Sequence, residues 1–363
     1  GQHASTNIGK EKIQLTKPLT NVEQVNQALQ ETDEAVQLIR LNLTIPFGGI
    51  VDIRNIVERS HIGSVLTAEE CLQVASTIYG VKQVRRFFDN LEEPLERLNP
   101  LAEQLQPLHE LEKEILRCID EHAEILDQAS TTLRSIRSTI RTLEQRIRGQ
   151  LETMIRTKSQ WLSDGIMTIR NDRFVLPVKH EHRSQVGGVV HDQSASGQTL
   201  FMEPRAVVEY NNKLQEARAK ERQEIERILR RLSGLIAEHH DTLIHNVEMI
   251  GEIDFIDARA RLAQEMNAVL PKMNNDGMIA MRQARHPLIP PDEVVPNDIE
   301  IGKDFTAIVI TGPNTGGKTV TLKMVGLCTL MAQSGLHVPA MDGCQLSVFK
   351  QVHAVIGDEQ SIE

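Results

Sequence analysis

The sequence predicts a multi-domain, mostly α chain: a helical core, two long antiparallel lever helices with a small β clamp tip between them, and then the first part of an α/β domain. Three observations carry this. Two unbroken apolar stripes run at heptad-like spacing. The insert between them changes to β-branched residues and turn formers. Finally, a short apolar run leads straight into a glycine-rich loop and an apolar-periodic helix.

Residues 1–109 read as the helical core domain. Val22, Val25 and Leu29, then Ala35, Leu38 and Ile39, then Leu72, Ala75 and Ile78 recur at helical spacing. Side chains three and four apart share one face of a helix, which is why this spacing marks one. Pro46, Gly48, Gly49 and Gly63 interrupt the pattern.

Residues 110–164 read as the first lever helix. Leu126, Ala129, Leu133, Ile136, Ile140, Leu143, Ile147, Leu151 and Met154 step by three or four, on a helix expected to start near Glu110 and to end at Asp164 and Gly165. The second stripe lies in residues 205–270, the second lever helix and its return to the core. It comprises Leu214, Ala217, Ile225, Ile228, Leu232 and Leu235, then Leu243, Val247 and Ile250. Two long helices joined by a short insert pack antiparallel. The insert, 165–204, is the β tip: strands are expected within 166–178, 186–191 and 199–202, separated by Gly187, Gly188 and the turn at 194–197.

Residues 271–363 begin with a proline-rich entry (Pro271, Pro287, Pro290, Pro291, Pro296). The run 306–311, TAIVIT, is of the kind found in buried parallel strands. Gly312, Pro313, Asn314, Thr315, Gly316, Gly317, Lys318 and Thr319 follow and fit G-x-x-x-x-G-K-[ST]. A helix follows through Val320, Leu322, Val325, Leu327, Leu330 and Met331, with a C-cap at Ser334 and Gly335. Glycines let the backbone wrap a phosphate, and the helix N-terminus favours negative charge. All eight residues are therefore candidate ATP contacts. Lys318 would bridge the β- and γ-phosphates, and the Thr319 hydroxyl would hold Mg²⁺, making these two the catalytic candidates. Hydrolysis also needs an acid near the metal. Asp358 and Glu359 follow the apolar residues Val352, Ala354, Val355 and Ile356, but one short βα segment is too little for a complete P-loop sheet, so the domain reads as truncated.

Composition sets the outer limits. The net charge of −10 over 363 residues excludes a uniformly basic nucleic-acid surface. That average hides an asymmetry: residues 130–231 hold 19 Lys/Arg against 12 Asp/Glu, a net of +7, leaving −17 elsewhere. A positive stretch points to a local anionic partner, although a solvated helix face explains the composition equally well. Aromatics at 3% argue against single-strand stacking and favour backbone charge contacts. No apolar run approaches bilayer length. Cys71, Cys118, Cys328 and Cys344 form no metal-ligand spacing and read as reduced thiols of a cytoplasmic protein. Phe201-Met202-Glu203 reads as an ordinary strand end. His180, His182, His191 and Asp192 read as solvated tip residues rather than a metal site, and His239, His240 and His245 as surface residues.

GPNTGGKT is narrower than a generic P-loop, and its Gly-Pro-Asn start resembles the MutS family of ABC-type ATPases. Gln283-Ala284-Arg285-His286-Pro287 resembles that family's Arg-His-Pro element. PFGGIVDI at 46–53, TIRNDRFVLPVK at 168–179 and GDEQSIE at 357–363 are most similar to the second bacterial MutS paralogue family, the branch without a mismatch-reading domain. The resemblance implies a homodimer with composite ATP sites, using ATP and Mg²⁺, that clamps nucleic acid between lever and clamp elements. It implies a role either in rescuing collided ribosomes by ATP-driven subunit splitting or in binding branched double-stranded DNA to suppress homologous recombination. Ribosome rescue is placed ahead on family grounds only. An inactive scaffold fragment is a third possibility. Arg170, Arg173, Lys179 and Arg183 on the tip are the candidate nucleic-acid contacts. In the family, the signature and the Walker B pair follow GDEQSIE, so Asp358 and Glu359 are not expected to be that pair. The family's C-terminal nuclease domain has no counterpart in these residues.

Overall fold

The computed structural model describes residues 2–313 and 317–355. Two compact units emerge: Gly1–Glu58, Gln73–His109 and His239–Glu363 form one, and Arg59–Leu72 with Glu110–Glu238 form the other. In chain order the elements are helices α1 (Asn7–Leu15), α2 (Val22–Arg40), α3 (Arg54–His61), α4 (Ala68–Asp89), α5 (Leu98–Glu103), α6 (His109–Cys118) and α7 (Thr131–Thr157). Strands β1 (Thr168–Arg170) and β2 (Arg173–Lys179), the one-turn helix α8 (Arg183–Val186), and strands β3 (Gly188–Gln193) and β4 (Thr199–Pro204) follow. Then come helices α9 (Arg205–Glu238) and α10 (His240–Glu265), strands β5 (Lys272–Asn274), β6 (Ile279–Ala284) and β7 (Asn297–Ile301), helix α11 (Lys318–Gln333) and strand β8 (Gln345–Ser347).

In the first unit α2 is the central helix. Asn21 caps it by accepting from the amides of Glu23 and Gln24. Its Ala35, Val36 and Leu38 face Val81, Val84 and Phe88 of α4, Leu98 of α5, and Ile250, Ile253 and Ile256 of α10. Val25 and Leu29 instead join a second core with Met281, Met324, Cys328, Ala332 and Leu346. That core lies under the sheet β5-β8-β6-β7, in which β5 and β8 run parallel and β6 is antiparallel to both its neighbours. β5, β6 and β7 come from the stretch that the sequence marked as a proline-rich entry, and β8 follows α11. Each is three to six residues long, too short for its periodicity to register.

In the second unit α7 and α9 pack side by side. Ser130 bonds Glu224, Arg137 bonds Glu221 and Arg218 bonds Glu144, so one residue number rises as the other falls and the pair is antiparallel. Leu143, Ile147 and Leu151 of α7 share a core with Leu214 and Ala217 of α9 and with the inner faces of β2 and β4. The tip is one sheet of order β1-β2-β4-β3, antiparallel throughout. The β1–β2 turn is the two-residue Asn171-Asp172 pair, both left-handed at φ 49° and 59°, which matches the twist of the flanking strands.

Three expectations differ from the structure. The helix expected from near Glu110 to 164 is two helices. Asp120 Oδ1 accepts from the amides of His122 and Glu124, Ala123 takes a left-handed φ of 64°, and Ser130 then caps a new helix by accepting from Leu133 N. These local bonds offer the backbone an alternative to the helical ladder. The stripe from Leu214 to Ile250 is also broken, at His239 between α9 and α10. Finally, the run 306–311 is not a buried strand: it has no sheet partner among the described residues, and Ile308, Val309 and Ile310 are exposed, Val309 by 86%. A parallel strand is buried only where neighbours pair both edges and helices cover both faces, and the described residues supply none of these.

Among the described residues no helix is long and apolar enough to cross a membrane. The four cysteines are free and buried, and burial pushes the thiols of Cys71, Cys328 and Cys344 up to about 12.

Candidate nucleotide site and nucleic-acid interface

The glycine-rich loop meets α11 at Gly317, whose φ of 75° lets the chain turn into the first helical residue, Lys318. Among the described residues no side chain caps this helix, so its first-turn amides keep their donors for a ligand. Gly312 also has a positive φ, and a Cβ added at either glycine would meet nothing within 4 Å. Lys318 is half-buried and donates through Nζ to the Gly312 carbonyl, folding back over the loop, while Thr319 is exposed beside it. An ammonium, a hydroxyl, uncapped amides and open space at both glycines form a donor set that fits a polyphosphate and the cation accompanying it. Pro313 is exposed; Asn314, Thr315 and Gly316 lie outside the described residues, as do Asp358 and Glu359. A cleft of about 520 Å³ borders Lys318 and Thr321, walled by Asp298, Glu300, Phe305 and Ile308.

The far end of α11 is fixed. Gly335, at φ 76°, donates to Ala332 O, and Leu336 donates to Met331 O, which closes the helix as the Ser334–Gly335 spacing suggested. Gln333, 2% exposed, donates to the carbonyls of Leu19 and Phe349 and accepts from Phe349 N. The Arg-His-Pro element leaves β6, and Arg285 donates to the carbonyls of Met266 and Asn267.

On the tip, the four candidate contacts fall into two classes. Arg173 is bound to Glu203 at 2.8 Å, and His191 holds the other oxygen of that carboxylate at 2.6 Å. Glu203 is 1% exposed, so Phe201-Met202-Glu203 is a strand end whose acid pins β2, β3 and β4 together. Arg170 pairs with Asp192 at 3.2 Å and lies 4.5 Å from the Phe201 ring centroid. Lys179, half-buried, and Arg183, exposed, have no acidic partner among the described residues. The same division runs along α7. Arg137 and Arg141 share Asp127, whereas Arg134, Arg146, Arg156 and the following Lys158 have no acidic partner among the described residues. Sequence reasoning counted all of these cations together; the pairing that sorts them depends on Asp127, Asp192 and Glu203, distant in sequence or on a facing strand.

The model of MutS domain V matches residues 308–363, the stretch that carries the phosphate loop. Over its whole length the chain is 54% identical to "Endonuclease MutS2" of Geobacillus sp. (strain WCH70), covering 47% of that protein. Over 99% of its length it is 53% identical to "Putative endonuclease MutS2" of Bacillus subtilis (strain 168), again covering 47%. Over its whole length this chain is similar to MutS2 proteins. It spans about half the length of the curated MutS2 relatives it matches. Domain V is a P-loop ATPase domain, and the matched stretch takes in the described phosphate-loop residues Gly312, Gly317, Lys318 and Thr319.

Proposed function

We propose that this chain is the ATP-binding and nucleic-acid-gripping part of a homodimeric, cytoplasmic machine that uses ATP and Mg²⁺ to act on collided or stalled ribosomes and split their subunits. In this reading Lys318 and Thr319 hold the triphosphate and its Mg²⁺, and Gly312 and Gly317 give the backbone access. The long helices act as levers, and their unpaired cations, with Lys179 and Arg183 on the tip, meet rRNA phosphates. The carrying observation is the coexistence, in one chain, of a helix N-terminus carrying Lys318 and a set of cations (Arg134, Arg146, Arg156, Lys158, Lys179, Arg183), with no side-chain cap on the first and no acidic partner for the second among the described residues. Unpaired cations bind phosphate without first breaking an ion pair.

The test uses the full-length protein. It should cosediment with collided ribosomes, ATP should drive their splitting, and Lys318→Ala should abolish splitting. Absence of cosedimentation together with indifference to ATP would sink the proposal. A second reading is favoured by the relatives' name, endonuclease: a clamp on branched double-stranded DNA, with nuclease activity in the part of the relatives that this chain does not span. It predicts tighter binding to a four-way junction than to linear DNA at physiological salt, and equal affinity excludes it. If the 363-residue chain turns over no ATP by itself, it serves as a scaffold within the longer protein.

A further inference from the structure

Trp161 is the sole tryptophan of the chain, and the structure places it where composition gave no reason to look. It closes a single 3₁₀ turn, Ser159–Trp161, directly after α7. A matching turn, His180–His182, follows β2. The Leu162–Val178 bridge and the bond from Ser163 N to Pro177 O at 3.0 Å set the two turns side by side. The result is a ring stack: the His182 imidazole lies 6.3 Å from the Trp161 ring centroid at an interplanar angle of 25°. Lys158 Nζ sits 4.8 Å from the indole centroid. The indole is half-buried against the tip core, which fixes its plane.

Two features set this stack apart from an ordinary core lid. His182 makes no side-chain hydrogen bond among the described residues, and its Nδ1 is buried without a partner. Only the contact with Trp161 and its surroundings holds that ring, and the centroid separation is near the loose limit for a stacked pair. Cations also flank the stack along the chain: Lys158, over the indole, and Lys179 and Arg183 all lie within three positions in sequence of one ring residue or the other, and none has an acidic partner among the described residues. The acids nearest in sequence, Glu181 and Asp164, are both exposed.

We propose that Trp161 is a platform for one unpaired nucleobase, with His182 as its removable cover. The base takes the imidazole's place on the indole, and Lys158, Lys179 and Arg183 hold the flanking phosphates. Stacking is indifferent to base identity because every base has a π-face, so the site selects unpaired strand over duplex rather than sequence. This rests on the nucleic-acid reading above and adds to it a recognition element for exposed bases.

The reporter is intrinsic, because all tryptophan emission of this chain comes from position 161. Oligouridine and oligodeoxyuridine are titrated separately at physiological salt, against a blunt duplex of the same length. Saturable quenching by either strand, and little by duplex, is the expected result, and the stronger quencher names the preferred sugar. His182→Ala should deepen the quenching and leave strand affinity equal or tighter. Trp161→Ala should weaken strand binding about tenfold while leaving duplex binding unchanged, and Trp161→Phe should retain most of it. Duplex binding without strand quenching overturns the platform and leaves the nucleic-acid reading standing; binding of neither overturns both. Equal quenching by strand and duplex, or a His182→Ala variant that weakens strand binding, also overturns it. The His182→Ala titration keeps the question answerable even if Trp161→Ala fails to fold.

Discussion

The tip sheet and the sheet β5-β8-β6-β7 have the same number of strands and little else in common. All four tip strands come from the stretch between Thr168 and Pro204, joined by short turns, so register is set locally. The other sheet places β8 between β5 and β6, although α11 and a long loop separate it from both in sequence. The tip strands bury Phe174, Leu176, Val178, Leu200 and Met202 against the flanking helices α7 and α9, whereas the apolar run 306–311 beside the phosphate loop faces solvent. The strand pairing of one sheet is set by nearby residues; that of the other needs contacts from far along the chain.

The largest test of this contrast is Leu176→Ala. Leu176 is fully buried in the tip core, and the substitution should cost about 3 kcal/mol in urea unfolding, because the tip has no spare residue to fill the cavity. Glu203→Ala comes close behind. Removing the acid shared by Arg173 and His191 should cost about 2–3 kcal/mol, and a loss below about 1 kcal/mol would mean that this carboxylate does not pin the strands.

Glycines sharpen the comparison further. Gly188 has φ 107°, and a Cβ there would lie 2.0 Å from the Glu203 carbonyl oxygen, so Gly188→Ala should cost about 2 kcal/mol. Gly317 has a similar handedness but open space around it. Gly317→Ala should cost only about 1 kcal/mol of stability, yet weaken nucleotide binding measurably by calorimetry. Equal stability losses at the two positions would contradict the distinction between a packed turn and an open cradle.

In the first unit, burial pushes the Asp257 carboxyl up to about 6, with Asp254 adding to the rise and Arg261 opposing it. The folded state therefore holds this proton more tightly than the unfolded chain. Stability contributed by the protonated form should fall as pH rises from about 4 to 6, by up to about 2 kcal/mol. Asp257→Asn should flatten that window in thermal melts. The smallest effect belongs to Val309→Thr, expected to lie within about 0.5 kcal/mol of wild type. A cost above about 1 kcal/mol would restore the buried strand that the sequence suggested for 306–311.

How much could be read beforehand follows from the range of the interactions. Leu133, Leu143, Ile147 and Leu151 announce α7 because three- and four-residue spacing is a local property of a helix, and all four are buried. The phosphate loop is legible because its glycines and lysine act through backbone geometry. The break at Asp120–Ala123 escaped notice because Glu110 to Cys118 continues the periodic pattern, and a single Asx turn outweighs it. The short strands β5 and β8 leave no local signal because pairing across some seventy positions, of β8 with β5 and with β6, makes them strands. The division of tip cations into paired and unpaired depends on cross-strand neighbours such as Glu203, which composition cannot see.

Gln333 gives the anchored end of α11 a mechanical meaning. Its side chain ties the helix to the segments at Leu19 and Phe349, and Thr32 Oγ1 donates to the Gly335 carbonyl at 2.6 Å. The helix is thus fastened at the end away from Lys318, and through Thr32 that fastening reaches α2, whose opposite face is packed against α10.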